Sequence, residues 1–189
     1  MWVFLVTELM LFGALFTLYA SYRYFYPEAF LAGSQLLNAG LAAVNTVVLI
    51  VSSLLIALAA QAAQRKKRGP LTLYLLGAAG LGVLFMVLKG MEYAQHYADR
   101  LVPGIAFGYQ GAHAPQVQLF LLLYFAMTGV HAIHLLIGIG LVGTVTLRLW
   151  LRPAAEHSSA VELVGLYWHF VDVIWIFLFP LLYLVGRHA

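Results

Sequence analysis

Residues 165–186 read GLYWHFVDVIWIFLFPLLYLVG, and this stretch decides the fold class because it is apolar over the length of a bilayer. A transmembrane helix needs about 20 mostly apolar residues. Two ionisable side chains, His169 and Asp172, nevertheless lie three residues apart inside the stretch. A charge at mid-bilayer costs about 2.5–3.5 kcal/mol. The stretch therefore predicts a spanning helix whose polar groups face protein or water rather than lipid.

The composition of the whole chain is also typical of a membrane protein. Of the 189 residues, 63% are hydrophobic and only 9% are charged, whereas soluble domains average about 25% charged residues. The net charge of +3 does not indicate nucleic-acid binding in such a chain, and no nucleic-acid partner is predicted. The absence of cysteine excludes disulfides and thiolate metal ligands.

Five segments are long and apolar enough to span a membrane, and they predict an all-α integral bundle that forms one domain over residues 1–189. The spans lie near residues 1–25, 36–63, 71–97, 117–149 and 161–187. Spanning strands are excluded because lipid-facing backbone must be hydrogen-bonded within its own segment and no alternating pattern appears. The first segment has no basic residue before Arg23 and is interpreted as a retained helix, not a signal peptide. The fourth span exceeds the bilayer thickness and should tilt or protrude.

The basic run QRKKRGP (64–70) determines the predicted orientation, because loops rich in lysine and arginine stay cytoplasmic. The run contributes Arg65, Lys66, Lys67 and Arg68. It places the N-terminus inside and the C-terminus outside, with Arg148 and Arg152 on the inner side as well. Arg23, Lys89, Arg100 and Arg187 then fall toward the outer face. A lipid-headgroup site is the alternative interpretation of the run.

Aromatic residues near the span ends are expected to form belts at the two membrane surfaces. Trp2 and Trp150 fall at the inner boundary. The outer belt is expected to contain Tyr22, Tyr24, Tyr26, Tyr97 and Tyr183.

Three pairs of ionisable residues have a spacing of three, which places both members on one helical face. The pairs are Lys89/Glu92, His131/His134 and His169/Asp172. The first pair is interpreted as a local ion pair near the outer end of the third span. In EYAQHY, Glu92 and His96 are four residues apart and form a weaker, metal-binding alternative.

The two later pairs lie on spans joined by a short loop, so His131, His134, His169 and Asp172 can converge between antiparallel neighbours. One interpretation is a histidine-rich metal site. The other, which we favour, is an interhelical hydrogen-bond network without metal. A ferritin-like di-metal site would require two Glu-x-x-His motifs, which are missing, while haem ligation by two histidines stays open. No catalytic residues are predicted, since no P-loop, serine triad or paired-carboxylate site appears.

Two further features of the spans have structural interpretations. Glu8 is the single acid of the first span, about 10 Å along the helix from Met1. We expect it to hydrogen-bond a neighbouring helix, with a proton-relay site or a subunit contact as functional alternatives. The sequence GIGLVG (138–143) matches G-x-G-x-x-G, but it lies inside an apolar helix, so dinucleotide binding is rejected. These glycines, and those of GAAGLG (77–82), are expected to permit close helix packing.

Several of these stretches resemble subunit III of haem–copper oxidases. TGVHAIHLLIG (128–138) and YWHFVDVIWIFLFPLLYLVG (167–186) are similar to its last two helices. FLVTELMLFGALF (4–16) resembles its helix with a buried glutamate, LNAGLAAVNTVVLIVSS (37–53) the next helix with its Asn-Thr pair, and LKGMEY (88–93) the end of the following one. The resemblance covers essentially the whole chain.

The resemblance implies a membrane subunit beside a catalytic subunit I, which holds the haems and copper while this chain binds neither. The implied roles are to stabilise the catalytic subunit during turnover, to shape proton uptake, to bind structural phospholipid and to ease oxygen entry. Glu8 would be the buried carboxyl near the oxygen-entry side. The buried polar packing network, with no metal, would comprise Glu8, His131, His134, His169 and Asp172.

The long form of this family has seven helices and a lipid-filled cleft, and the present chain matches it from the third helix. A lipid pocket is therefore expected only if a partner supplies the first two helices. The resemblance further implies a prokaryotic plasma membrane, other oxidase subunits and membrane lipids as partners, and membership of a respiratory supercomplex.

Cytochrome c is the preferred electron donor, and a quinol oxidase is the first alternative. A stand-alone haem- or metal-binding membrane protein is the second. A small transporter is disfavoured because no helix is broken at mid-span and Pro180 only kinks the last helix.

Overall fold

The computed structural model describes residues 2–104, 106–111, 113–151 and 158–185. The helices are α1 (Trp2–Phe25), α2 (Pro27–Gln35), α3 (Ala39–Gln64), α4 (Arg68–Ala98), α5 (Ala114–Leu151), α6 (Ser158–Phe179) and a π-helical turn (Pro180–Leu184). Five of them, α1, α3, α4, α5 and α6, are long and apolar enough to cross a membrane. The predicted all-α bundle of five spanning helices is confirmed. When the π-helical turn is counted with α6, their bounds lie within three residues of the predicted ones, while residues 1 and 186–187 fall outside the described residues.

Local sequence explains where the helices begin. The Asn38 side chain caps α3 by accepting a hydrogen bond from the Leu41 backbone N–H at 3.1 Å. Pro27 begins α2, a position where its missing N–H is not needed. Helix α2 was not predicted, because Tyr26-Pro27-Glu28 marks the end of the first span and a nine-residue helix is too short to cross a membrane.

A short two-stranded ladder was not predicted either. Leu101–Val102 pairs antiparallel with Ala106–Phe107 in the connection between α4 and α5. Strands were excluded only as spanning elements, and this ladder lies outside the spans. Its two-residue strands turn the chain back toward the start of α5.

The helices α3, α4, α5 and α6 form a closed four-helix ring, since α3 packs on α4 and α6, and α5 packs on the same two helices. Helix α1 lies outside this ring and contacts α5, α2 and α6 more sparsely. Only 11% of the most apolar window of α1 is buried, compared with 50% for α5 and for α6. The first helix is therefore the one whose apolar surface is least covered by the chain itself.

The indole of Trp168 determines which glycines are needed for packing. A Cβ added at Gly82 would lie 2.9 Å from this ring, and one at Gly138 would lie 3.3 Å from it. By contrast, a Cβ at Gly140 or Gly143 would meet nothing within 4 Å. A Cβ at Gly77 would lie 3.0 Å from the Leu55 side chain, whereas one at Gly80 would meet nothing within 4 Å. The prediction of close packing is thus correct for Gly77, Gly82 and Gly138 and wrong for the other three glycines of the two motifs.

Two irregular features of the spans, the length of α5 and the break at the end of α6, can also be explained. Helix α5 has 38 residues, about 57 Å at 1.5 Å per residue, so it protrudes beyond a hydrocarbon core of about 30 Å as predicted. Helix α6 stops at Phe179 and continues as a π-helical turn from Pro180, whose ring nitrogen cannot donate to the preceding turn. Tyr19 of α1 donates to the Leu181 carbonyl at 2.6 Å and ties α1 to this turn.

Candidate functional site

The main polar site inside the bundle is formed by Lys89, Glu92, Tyr124 and Tyr183, which we call the buried tetrad. Lys89 and Glu92 come from α4, Tyr124 from α5 and Tyr183 from the π-helical turn. Lys89 Nζ lies 2.8 Å from Glu92 Oε2, and both side chains are almost fully buried. The predicted ion pair is therefore present, but it lies in the core and joins three chain segments.

Hydrogen bonds satisfy every proton of the Lys89 ammonium. Nζ donates to Glu92 Oε2, to the Tyr124 hydroxyl at 3.0 Å and to the Tyr183 hydroxyl at 2.5 Å. Both tyrosines in turn donate to Glu92 Oε1, at 2.9 and 2.7 Å. Since an ammonium has three donors and a carboxylate accepts only, the tetrad is a closed and electrically neutral unit.

Aromatic rings surround the ammonium of Lys89. Its Nζ lies 4.9 Å from the centroid of the Tyr124 ring, 5.1 Å from that of Trp175 and 5.2 Å from that of Tyr183. Cations at such distances are attracted to the negative faces of aromatic rings. The rings therefore take the place of part of the hydration that Lys89 gives up in the bundle.

Helix α4 makes two more polar contacts beside the tetrad. Tyr93 and Thr128 share a hydrogen bond of 2.6 Å between their hydroxyls. His96 Nδ1 donates to the backbone carbonyl of Glu92 at 2.7 Å, and its Nε2 has no hydrogen-bond partner among the described residues. The Glu92 carboxylate belongs to the tetrad, so the structure does not bring Glu92 and His96 together as a pair of metal ligands.

Glu8 and His134 form the contact between α1 and α5. Glu8 Oε2 lies 2.8 Å from His134 Nε2, at ion-pair distance, although the contact does not meet hydrogen-bond geometry. Glu8 thus contacts a neighbouring helix, as the sequence predicts. Both side chains stay slightly exposed, at 14% and 10%, on the edge of the ring of four helices.

The other ring nitrogen of His134 is held within α5. Nδ1 lies 2.7 Å from the Val130 carbonyl, which can only accept, so Nδ1 carries a hydrogen. Nε2 is the ring nitrogen that faces the Glu8 carboxyl, so the contact between the two side chains joins α5 to α1 within the span.

His131 occupies an aromatic slot rather than a hydrogen-bonded position. It is fully buried, 5.7 Å from the Phe85 ring and 5.0 Å from the Trp175 ring. Neither ring nitrogen has a hydrogen-bond partner among the described residues. Residues three apart differ by about 60° around a helix, so His131 points toward α4 and α6 while His134 points toward α1.

The pair His169/Asp172 lies on the face that α6 shares with α3. His169 Nδ1 lies 2.6 Å from the Ser53 hydroxyl. Asp172 is buried, and neither of its oxygens has a hydrogen-bond partner among the described residues. Both residues line one groove with Ser53.

Two tryptophans join α3 and α6 by hydrogen bonds that the sequence did not indicate. Trp168 Nε1 donates to the Ser52 hydroxyl at 3.0 Å, and Trp175 Nε1 donates to the Thr46 hydroxyl at 3.0 Å. With His169 and Ser53, they form a line of three polar contacts along the helix pair. Asn45, beside Thr46, is fully buried with its amide unpartnered among the described residues.

The five residues predicted as one buried polar network are therefore distributed over separate places. Glu8 pairs with His134, His131 packs between aromatic rings, and His169 and Asp172 line the α3–α6 groove. Within the described ranges no group of three or more His, Cys, Asp or Glu side chains could hold a metal ion. Tyr124 was not predicted as a site residue, and Tyr183 was predicted only for the outer belt; the one signal for either is a hydroxyl within an apolar span.

The ends of the spans carry the expected surface residues, with one correction. Arg65, Lys66, Lys67 and Arg68 are exposed between α3 and α4, while Arg152 and Arg187 lie outside the described residues. Tyr24, Tyr97 and Trp150 are exposed as belt residues should be. The assignment of Tyr183 to the outer belt is wrong, because its hydroxyl is bound in the tetrad and its side chain is fully buried.

Comparison with known proteins gives one family. The family described as cytochrome c oxidase subunit III matches residues 1–187. A cytochrome c oxidase subunit 3 from Thermostichus vulcanus is 33% identical, with 98% of this chain and 85% of the relative covered. A probable quinol oxidase subunit 3 from Staphylococcus haemolyticus is 26% identical over 98% of this chain and 87% of the relative.

A further relative is a fusion. The heme-copper oxidase subunit I+III from Aeropyrum pernix is 28% identical over 98% of this chain, which spans 22% of that longer protein. The family match, the Thermostichus relative and the bundle of five spanning helices agree. The chain therefore belongs to the cytochrome c oxidase subunit III family, the third subunit of haem–copper oxidases.

Proposed function

We propose that this chain is a supporting subunit of a haem–copper oxidase in a prokaryotic plasma membrane, beside the catalytic subunit I. In that place it contributes indirectly to reducing oxygen and translocating protons in aerobic respiration. The observation that carries the proposal is the family match over residues 1–187. The fused relative from Aeropyrum pernix, whose name joins subunits I and III, supports association with subunit I.

Helix α1 is the proposed surface for subunit I. It is the least covered spanning helix, and its exposed side chains include Val3, Leu9 and Met10. Glu8 lies on the same helix and contacts His134 of α5 at the edge of the bundle. A partner helix on α1 would cover this apolar surface and seal the pair from lipid.

The haems and copper of the oxidase belong, in this proposal, to partner subunits. The support comes from what the histidines of this chain already do. His134 is held by Val130 and Glu8, His169 by Ser53, and His131 is enclosed by aromatic rings. A metal site in this chain would have to break these contacts and gather ligands that now lie on different faces.

The orientation and the lipid contacts rest on charge. We propose that the exposed run Arg65–Arg68 lies in the cytoplasm, with α2 and the ladder at the outer surface. The same run is placed to meet anionic headgroups, so structural phospholipid at this end is part of the proposal. Other oxidase subunits and a respiratory supercomplex remain predictions from the family resemblance.

Cytochrome c is the electron donor that we propose for the complex. The relative named as a cytochrome c oxidase subunit is 33% identical, and the one named as a quinol oxidase subunit is 26% identical. Quinol is the second candidate, because the relatives carry both names.

Replacing Glu8 by alanine tests the proposed role of α1. The chain should stay folded, because the ring of four helices does not include α1, but its association with subunit I should weaken about fivefold, the scale of about 1 kcal/mol for interhelical polar contacts. The tagged chain is purified in mild detergent, and haem absorbance per chain and oxygen consumption over many turnovers are measured. Activity should decline faster than in the wild type.

Two comparisons make this experiment decisive. Glu28→Ala removes an exposed acid of α2 and should leave haem recovery unchanged. Wild-type haem recovery and turnover in Glu8→Ala would refute the role of Glu8. If even the wild-type chain co-purifies with no haem-bearing subunit, the proposed function itself fails.

A further inference from the structure

A groove runs along the outer face of the bundle between α3 and α6. Its cavity has a volume of about 330 Å³. Apolar side chains form its rim, among them Ile50 and Leu54 of α3 and Ile176 of α6, and all three are about half exposed. Asp172 and His169 lie in it among these apolar groups, so the groove differs from an ordinary lipid-facing surface.

The carboxyl of Asp172 is the unusual feature of the groove. The residue is only 4% exposed, and neither oxygen has a hydrogen-bond partner among the described residues. The Ser53 hydroxyl lies beside this carboxyl and 2.6 Å from His169 Nδ1, but its contact with Asp172 does not meet hydrogen-bond geometry. A buried acceptor without a donor costs about 1–3 kcal/mol, and more when it is charged.

The described spans contain no spare cation for Asp172. Within the described spans, Lys89 is the only lysine or arginine more than one turn from a helix end. Its three protons are all used in the buried tetrad. No lysine or arginine of the described spans therefore pairs with Asp172, which leaves its carboxyl open to a donor from another molecule.

Depth in the membrane decides what kind of molecule supplies that donor. Asp172 lies 14 residues from the start of α6 and 12 from the end of the π-helical turn that continues it, and Ser53 lies 14 residues from the start of α3 and 11 from its end. At 1.5 Å per residue these positions are about 17–21 Å from the helix ends. Lipid headgroups lie outside a core of about 30 Å, and acyl chains have no donors. A transmembrane helix of another protein can reach this depth and can carry a hydrogen-bond donor.

We propose that the α3–α6 groove receives a transmembrane helix of a second oxidase subunit, and that this helix donates a hydrogen bond to Asp172. This inference rests on the proposed function, since it takes the partner from the same complex. The apolar rim would pack against the partner helix. Asp172 would fix its register, as interhelical polar contacts do in membranes.

Cross-linking in the intact complex tests the inference. A photoreactive benzophenone amino acid replaces Ile176, the complex is purified through a tag on this chain, and the adducts formed on irradiation are identified by mass spectrometry. We expect an adduct with a hydrophobic segment of another oxidase subunit. Adducts only with lipid or with a second copy of this chain, or none in a complex that retains its haem, would overturn the inference.

Substitutions of Asp172 in the cross-linking background then test the hydrogen bond. Asp172→Leu should lower the adduct yield about fivefold while the helicity and thermal stability of the chain stay at or above wild type, since no internal partner is lost. Asp172→Asn keeps an acceptor oxygen and should retain most of the yield. The control Glu162→Leu makes the same acid-to-leucine change near the start of α6, where Glu162 is exposed and accepts a hydrogen bond from Gln64, and it should not alter the yield.

The outcomes separate this inference from the proposed function. If the wild-type chain carries no haem-bearing subunit through purification, the proposed function fails, and the inference fails with it. If the complex is intact but Asp172→Leu leaves the adduct yield unchanged, only the role of Asp172 is overturned. A parallel loss of yield in Glu162→Leu would overturn it as well, because the effect would not be specific to the groove.

Discussion

Replacing Lys89 by methionine should lower the free energy of unfolding of the bundle by about 3–5 kcal/mol, the usual cost of removing one partner of a buried ion pair. Glu92 would remain fully buried without its cation. Tyr124 and Tyr183 could still donate to it, but they cannot neutralise its charge. Denaturant-induced unfolding in mixed micelles, followed by helicity, measures the effect.

The double variant Lys89→Met/Glu92→Met separates the charge from the packing. Removing both charges should restore most of the lost stability, since buried ion pairs can often be replaced by apolar side chains of similar volume. Lys67→Met removes an exposed cation next to α4 and should change stability by less than about 0.5 kcal/mol. A stable single variant, or a double variant as unstable as the single, would show that the tetrad does not hold the helices together.

Replacing Trp168 by alanine should cost about 3–5 kcal/mol, the range for tryptophan truncation in a core. The indole is 1% exposed, fits against Gly82 and Gly138, and donates to Ser52 on α3. Its loss would leave a cavity where α3, α4, α5 and α6 meet. The same unfolding measurement applies, and Trp168→Phe, which keeps a ring but loses the N–H, should lie between wild type and alanine.

The matched control for this variant is Trp150→Ala. Trp150 lies near the end of α5 and is 69% exposed, so its truncation should stay within about 0.5 kcal/mol. Equal losses in the two alanine variants would mean that the contact between Trp168 and the two glycines does not determine the packing of α6.

Helix number and length could be predicted from sequence because the bilayer constrains them strongly. A run of apolar residues has to reach about 30 Å, and its backbone has to be satisfied internally. Helix α2 and the two-residue strands escaped prediction because neither crosses the membrane. Helix α2 depends on the turn at Pro27. The two strands depend on pairing with each other within the connection between α4 and α5.

The polar site was harder to predict because the spacing of residues in sequence shows which side chains share a face of one helix. It does not show which side chains of different helices meet. The i, i+3 rule correctly paired Lys89 with Glu92. It could not identify Tyr124 and Tyr183, since their positions depend on how α5 and the π-helical turn are rotated toward α4. Their tyrosine hydroxyls carry no charge, so nothing in the sequence distinguishes them from belt tyrosines.

The same limit explains why the neighbours of the two histidines of α5 could not be predicted. His131 and His134 are three residues apart, yet α5 is surrounded by α1, α4 and α6, and the two rings meet different neighbours. A convergent site with His169 would need both rings to face α6. In the structure, His131 packs against the Trp175 ring, whereas His134 contacts Glu8.

The metal content of the isolated chain tests most directly the claim that its buried polar groups serve packing and not redox chemistry. The chain is separated from its partner subunits, its helicity is checked by circular dichroism, and iron, copper and zinc are quantified by mass spectrometry. We predict far less than one metal ion per chain and no haem absorbance. One equivalent of metal or haem, lost when His131 and His169 are replaced by alanine, would contradict the claim.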